Sequence, residues 1–421
     1  MKNQKLYPPQ YSITGLSCRD GEIGESKSDF SGSADLCGKM GRFESVDVLK
    51  NTTVVNLKNE SIIIDPGAET AFMAIGKNIR CVLLTHAHFD HVNGLSELFG
   101  GECSPEIICS SFTQKFLHES QWDEIKIIRA IEDAYTFDNI TNIPIEFANG
   151  LILNAYSGGH CFGNTAYHLS DGESGSSLFI GHEVTPRNVG GNFMNLPESI
   201  SAEVLVVDGH FLKSETNSEP VKNHSQLHGL LTENCDRYKN IRLITNGSLG
   251  IHQDVYMAVK AWQLEAKTSC KKVIIKGIRS SVRDEIFTIA HDSLGQFPWN
   301  DEINILESRD SEPISGGIII ESVSEHSMKH YCNNCVANKN EMVICINHNL
   351  VTGLHGEENF HSIDISTHAS EEEIISLAIN LNAKQIVLNC NGDSTSVPQF
   401  EKKVGIKCES ALKVPVKLEF N

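Results

Sequence analysis

No apolar run in the 421-residue chain reaches the roughly 18 residues that a membrane-spanning helix requires. The start, Met1-Lys2-Asn3-Gln4-Lys5-Leu6-Tyr7-Pro8-Pro9, lacks the apolar core of a secretion signal. The expectation is a cytoplasmic protein with no membrane partner. Cysteine is present but unframed. The 13 cysteines are odd in number and irregularly spaced, and the CxxC of Cys332 and Cys335 has no second pair at zinc-ribbon distance. This argues for reduced thiols in core and loops rather than a disulfide scaffold. Positive charge is scarce: 35 Lys and Arg stand against 54 Asp and Glu, a net charge of −19. Such a surface repels phosphate backbones on average, which excludes tight non-specific wrapping of DNA. A local cleft whose metal ions reverse the field stays open. There is no G-x-x-x-x-G-K-[ST] loop, no G-x-S-x-G elbow, no internal repeat and no low-complexity tract.

What is present is an ordinary globular composition, 40% apolar and 21% charged, in a chain long enough for one large domain carrying a second or an insertion. Residues 1–45, rich in Gly, Ser and Asp, read as loop or a loose edge hairpin. From Val46 the pattern becomes strand-like. Val54-Val55-Asn56-Leu57 and Ile62-Ile63-Ile64 flank a turn, and Asp65-Pro66-Gly67 ends the second strand. Cys81-Val82-Leu83-Leu84, Leu178-Phe179-Ile180 and Val204-Leu205-Val206-Val207 read as short buried strands. A second alternating region holds Ile241 to Ile244, a helix over 252–266, Val273 to Ile275, Gly317 to Ile320 and Met342 to Ile346. Near the end, Ser370 with Glu371-Glu372-Glu373 predicts a capped helix to about Leu381, followed by a strand at Gln385 to Leu388.

The chemistry concentrates in Thr85-His86-Ala87-His88-Phe89-Asp90-His91. His86 and His88 lie two apart at the exit of a strand, so alternation places both on one side. Asp90 and His91 follow as the chain turns. Four N and O ligands in six residues suit a divalent metal, zinc best (one or two ions), with manganese as the alternative.

This HxHxDH after a short strand resembles the metallo-β-lactamase fold. The resemblance implies an α/β, four-layer αββα sandwich. Asp65 matches that family's acidic residue supporting the ligands, and Gly159-His160-Cys161-Phe162-Gly163 looks like its GHxxG loop, with His160 as the next ligand. Later segments are similar to the β-CASP subfamily of nucleic-acid processing nucleases. Asp208 ends a strand where that subfamily has an acid, residues 244–254 look like the opening of its inserted cap, and Ile365-Ser366-Thr367-His368-Ala369 looks like its S-x-H-A motif. The implied organisation is a metallo-β-lactamase domain in two parts, 1–208 and 355–421, with an α/β cap over 209–354.

Two positions depart from the family pattern. The Gly-Asp segment, whose aspartate bridges two metals, reads Gly181-His182-Glu183, putting His182 at the bridge. The last histidine motif reads Asn391-Gly392-Asp393. An amide is a poor zinc ligand. The expected first site is therefore His86, His88, His160 and His182. The second keeps Asp90 and His91 without its usual partners.

The leading expectation is metal-assisted hydrolysis of a phosphodiester in RNA or single-stranded DNA. By resemblance, Asp90, Asp208 and His368 form the catalytic set, with His368 protonating the leaving oxygen and Asp208 orienting it. A scaffold or binding subunit with eroded metal motifs is the alternative from another class, but erosion spares HxHxDH, Asp208 and His368. A small ester, thioester or nucleotide hydrolase is the third reading, favoured by the acidic charge. A homodimer or a partner subunit fits each. The few basic residues of the inserted segment, Lys271, Lys272, Arg279 and Arg283, either line a substrate channel or solvate that surface.

Overall fold

The computed structural model describes residues 11–13 and 43–420, apart from 101–104, 119–124, 138–143, 148–149, 172–174, 187–193, 195, 214–219, 246–249, 266–271, 277–303, 306–315, 347–353, 355 and 390–392. The expected loop at 246–249, with Lys271, Arg279, Arg283 and Asn391, lies outside the described residues, as does most of 1–45.

Two mostly mixed sheets face each other. The seven-stranded sheet runs Val416–Glu419, Ser45–Leu49, Thr52–Asn56, Ser61–Ile64, Ile79–Leu83, Glu106–Ser110, Tyr135–Phe137. The eight-stranded sheet runs Tyr11–Ile13, Ile145–Phe147, Leu151–Ser157, Thr165–Asp171, Ser177–His182, Val204–Asp208, Gln385–Asn389, Lys407–Ser410. Strand alternation divides each apolar run between two cores. Val55, Ile62, Ile64 and Leu83 meet Leu153, Tyr167, Leu178, Ile180 and Val206 in the layer between the sheets. Their neighbours Val54, Ile63 and Val82 point the other way, onto Leu95, Phe99, Ile127 and Ile131. Phe179, Leu205, Val207 and Leu388 likewise turn outward, onto Ile374, Leu377 and Phe400 of helices Glu371–Asn380 and Val397–Val404. The layers are therefore helix, sheet, sheet, helix.

A third sheet is inserted between two adjacent, parallel strands of the eight-stranded sheet, Val204–Asp208 and Gln385–Asn389. Its six strands are all parallel: Asn304–Ile305, Lys272–Lys276, Gly317–Ser322, Asn240–Thr245, Glu341–Ile346, Phe360–Ile363. Parallel sheets are buried on both faces, which is why runs such as Ile318-Ile319-Ile320 show no alternation. Leu231, Val255 and Trp262, from helices Pro220–Asn234 and Ile251–Glu265, cover one face, and Met328, Cys332 and Val336 cover the other. The sixth strand, Phe360–Ile363, lies beyond residue 354 and pairs with Val343 to Ile346.

The end of the chain follows its sequence pattern closely. Ser370 caps helix Glu371–Asn380 through a reciprocal pair, Glu373 N–H to Ser370 Oγ at 3.2 Å and Ser370 N–H to Glu373 Oε2 at 2.8 Å. Cys332 and Cys335 sit on helix Glu325–Val336 as free thiols. Among the described residues no helix is long and apolar enough to cross a membrane.

Candidate metal centre

The centre forms where strand ends of both sheets converge. Asp65 ends strand Ser61–Ile64 with a left-handed φ of 50°, a conformation that Asp tolerates better than most residues. Its fully buried carboxylate accepts Thr85 N–H at 2.7 Å, Thr85 Oγ1–H at 2.5 Å, His91 Nδ1 at 2.7 Å and His182 Nδ1 at 2.6 Å. Burial alone would raise this acid, but the charges and hydrogen bonds of His91 and His182 hold it far below the carboxylate range.

These bonds set the histidine tautomers. Thr85 spends its hydroxyl proton on Asp65, so Thr85 Oγ1 accepts from His86 Nδ1 at 2.9 Å and His86 Nε2 is left with its lone pair. His160 Nδ1 lies 3.2 Å from the Thr367 carbonyl, which can only accept, so His160 Nε2 is also a lone pair. Both point at one space. His88 Nδ1 lies 2.8 Å from His86 Nε2 and 3.3 Å from His160 Nε2. Burial pushes His86 and His160 below the ordinary histidine value, so both are neutral, as metal ligands must be.

The loop that delivers His160 is conformationally demanding. Gly159 has φ +72°, and a Cβ there would stand 2.0 Å from Thr185 O. His160 itself is left-handed at φ 52°. Thr185 clamps the loop through its N–H to Gly158 O at 2.7 Å and its hydroxyl to Thr367 O.

Glu183, next to the expected bridge residue His182, stands among the ring nitrogens of His86, His88 and His160, while His182 groups with Asp65 and His91. Glu183 Oε2 lies 3.1 Å from His86 Nε2, 3.0 Å from His160 Nε2, 3.6 Å from His88 Nδ1 and 3.6 Å from His91 Nε2. Burial opposes ionisation of Glu183, but the histidines around it, the raised His91 among them, hold it well below its ordinary value. The cause of the one-residue shift is a bulge: strand Ser177–His182 changes register against Val204–Asp208 between Ile180 and His182, and His182 has φ 41°. The imidazole of His182 turns inward, tied on one side to Asp65 and on the other to Thr53 Oγ1 at 2.9 Å. Both its nitrogens are occupied.

The second half consists of Asp90, His91 and Glu183. His91 gives Nδ1 to Asp65 and keeps Nε2 toward the centre, 3.9 Å from Asp90 Oδ2. His91 is raised well above the ordinary value, because Asp65 and Glu183 outweigh burial. Glu183 belongs to both candidate groups.

These residues fit a divalent cation. The buried atoms Glu183 Oε2 and His91 Nε2 have no hydrogen-bond partner, and ring nitrogens of His86, His88 and His160 converge on the same space. His86, His88, His160 and Glu183 would hold one ion, an N3O set of the kind that zinc accepts. Asp90, His91 and Glu183 would contribute to another.

Beside this centre stands a dyad. His368 Nδ1 donates to Asp208 Oδ2 at 2.6 Å, and the His368 ring centre lies 4.9 Å from that of His160. Asp208 Oδ1 accepts the His210 N–H at 2.7 Å, and the His210 ring stacks on His368 at 4.2 Å and 12°. Asp208 and His368, the pair named by the motif, are thus in contact; Glu183, adjacent to the expected His182, and His210 carry no motif signal in the sequence.

Residues 46–134 match the Metallo-beta-lactamase superfamily. The chain is 30% identical over 169 residues to hydroxyacylglutathione hydrolase of Blochmanniella pennsylvanica (strain BPEN), a match covering 35% of this chain and 66% of that one, just under two thirds of its length. It is 27% identical over 165 residues to the probable metallo-hydrolase YqgX of Bacillus subtilis (strain 168), covering 37% and 78%. The crystal structure of a protein of unknown function from Enterococcus faecalis V583 superposes with a TM-score of 0.54 at 10% identity, over 90% of this chain and all of that one. That likeness concerns the fold alone. Its coverage is too large to omit the inserted sheet.

Proposed function

We propose that this chain is a metal-dependent hydrolase that cleaves a phosphodiester, with RNA or single-stranded DNA as substrate. The observation that carries this reading is the Asp208–His368 dyad set against His160, one ligand of the candidate ion. A divalent ion, zinc in the first instance, supplies Lewis acidity and a more acidic water when bound. The protein's own residues do the rest. Asp65 and Thr85 lock His86 and His91 in orientation. Asp208 holds the proton of His368 on Nδ1, which leaves Nε2 to hand a second proton to the departing oxygen as water attacks phosphorus and the P–O ester bond breaks. The inserted parallel sheet, read as a β-CASP-like cap, would form the other wall of the cleft. Glu183 supports catalysis over a scaffold role, since it supplies the carboxylate that the substituted motif had put in doubt.

A specific observation favours a second reading, hydrolysis of a small ester or thioester: the relative named hydroxyacylglutathione hydrolase, together with the net charge of −19. One experiment separates the two. Protein loaded with Zn2+ or Mn2+ is assayed on single-stranded RNA, single-stranded DNA, bis(p-nitrophenyl) phosphate and an acyl-glutathione thioester. The phosphodiester reading expects cleavage of the first three, abolished by chelator. Turnover of the thioester alone, or nucleic-acid cleavage that survives chelation, overturns it.

A further inference from the structure

The hairpin that joins Ser45–Leu49 to Thr52–Asn56 turns in two residues, Lys50 and Asn51. Lys50 is left-handed at φ 47°, where a side chain is costly, and its N–H is tied to Ala411 O at 2.9 Å. This turn sends Asn51 inward. Asn51 is 7% exposed, and its Nδ2 donates to Asp90 Oδ2 at 2.7 Å and approaches Asp90 O at 3.4 Å. The adjacent Gly67 presses on the same peptide: a Cβ there would stand 2.8 Å from Asp90 O, while Gly67 N–H donates to Thr52 Oγ1 at 3.0 Å. The Asp90 side chain is otherwise 57% exposed. Left to itself, such a carboxylate would sample several rotamers, and only some would face the centre.

We infer that Asn51 is a positioning residue for the Asp90 half of the metal centre: its amide aims the Asp90 carboxylate and so sets how tightly that half holds a divalent cation. The chemistry suits an amide. The NH2 group takes one lone pair of Oδ2, the oxygen 3.9 Å from His91 Nε2, leaves the carboxylate's remaining lone pairs for a cation, and adds no charge. A lysine at this position would compete with the ion, and an aspartate would repel Asp90. Asymmetry between the halves follows. The ligands of the first half are held by buried groups, Thr85 and the Thr367 carbonyl. In the second half buried Asp65 holds His91, but Asp90 depends on a surface hairpin outside the HxHxDH segment. The inference rests on the metal-site reading above but not on the identity of the substrate.

The test is a calorimetric titration of the metal-stripped full chain with Mn2+ and, separately, Zn2+. The wild type is expected to take up two ions in a tighter and a weaker step. Asn51→Leu, which keeps the shape and removes the donor, should weaken the weaker step by about 10- to 100-fold and leave the tighter step unchanged. In an Asp90→Ala background the same substitution should have no further effect, because the two act as one unit. Asn51→Ala serves if the leucine variant does not fold, with thermal unfolding of the stripped protein as the check. The inference is overturned if the wild type binds a single ion, if the substitution changes both steps equally, or if its effect persists without Asp90. Two ions bound normally with no hydrolysis of any ester would count against the proposed function and leave this inference standing.

Discussion

His86 and His91 are five residues apart, fully buried, and 4.2 Å from ring centre to ring centre, yet the protein drives them in opposite directions. His86 falls well below the ordinary histidine value, because burial dominates and its Nδ1 meets only the Thr85 hydroxyl. His91 rises well above it, because its Nδ1 meets the Asp65 carboxylate and its other nitrogen looks toward Glu183. The difference teaches that the hydrogen-bond partner, rather than depth, decides the charge of a buried imidazole. It also divides the centre into a neutral half, where burial lowers His86 and His160, and a balanced half, where the Asp65 carboxylate raises His91.

The sharpest break of this comparison removes the neutral half. His88→Ala should lose the tighter ion and bring hydrolysis to background, as read by metal analysis and turnover together; retention of both would show that the three-histidine set is not the binding site. Next is His368→Ala, adjacent to the neutral half but outside it. Activity on nucleic acid should fall by about 10²- to 10⁴-fold. Turnover of bis(p-nitrophenyl) phosphate, whose leaving group needs no proton, should change little, and metal content should hold. An equal loss on both substrates would mean that His368 does not act on the leaving oxygen.

The balanced half is broken by His182→Asp, the change that the family pattern would suggest as a repair. It would place a second carboxylate against buried Asp65 and strand Thr53. We expect destabilisation of about 3–5 kcal/mol in urea unfolding and no gain in metal binding. Increased ion affinity in that variant would restore the original assignment of the bridge to His182.

The smallest effect isolates burial from charge. His252, in the inserted domain, is 1% exposed, with Nδ1 bonded to Thr245 Oγ1 at 3.0 Å, Nε2 without a partner, and a pKa pushed down to about 4 by burial alone. Between that value and the unfolded value of about 6.5, the unfolded chain binds more protons, so stability rises with pH there. The contribution is complete above the unfolded value and is lost as pH falls toward 4, for a total of about 3 kcal/mol. Unfolding measured from pH 7 to pH 4 should show this slope, and His252→Phe should flatten it. An unchanged slope would assign it to other groups.

Much of the sandwich and the start of the centre were legible in the chain. Apolar runs of three or four residues marked Val54-Val55, Ile62 to Ile64 and Val204 to Val207, and HxHxDH is a contiguous cluster whose spacing reports its geometry. What escaped was nonlocal. The bulge at Ile180 to His182 arises from pairing with Val204–Asp208, so no local pattern could show that Glu183 rather than His182 would face the ligands. The strand Phe360–Ile363 is too short to stand out without its partner Glu341–Ile346.

The sequence by itself determined which residues could be ligands, because metal chemistry restricts the choice to His, Asp, Glu and Cys and the HxHxDH spacing gathers four of them on one turn. Only the tertiary structure decided which of them share a space and in which protonation state. Those properties depend on partners brought from distant segments: Asp65 for His91, Thr367 for His160, and Asn51 for Asp90. A hydrogen bond between residues 39 or 207 positions apart leaves no trace in local periodicity, yet it sets tautomer, charge and aim.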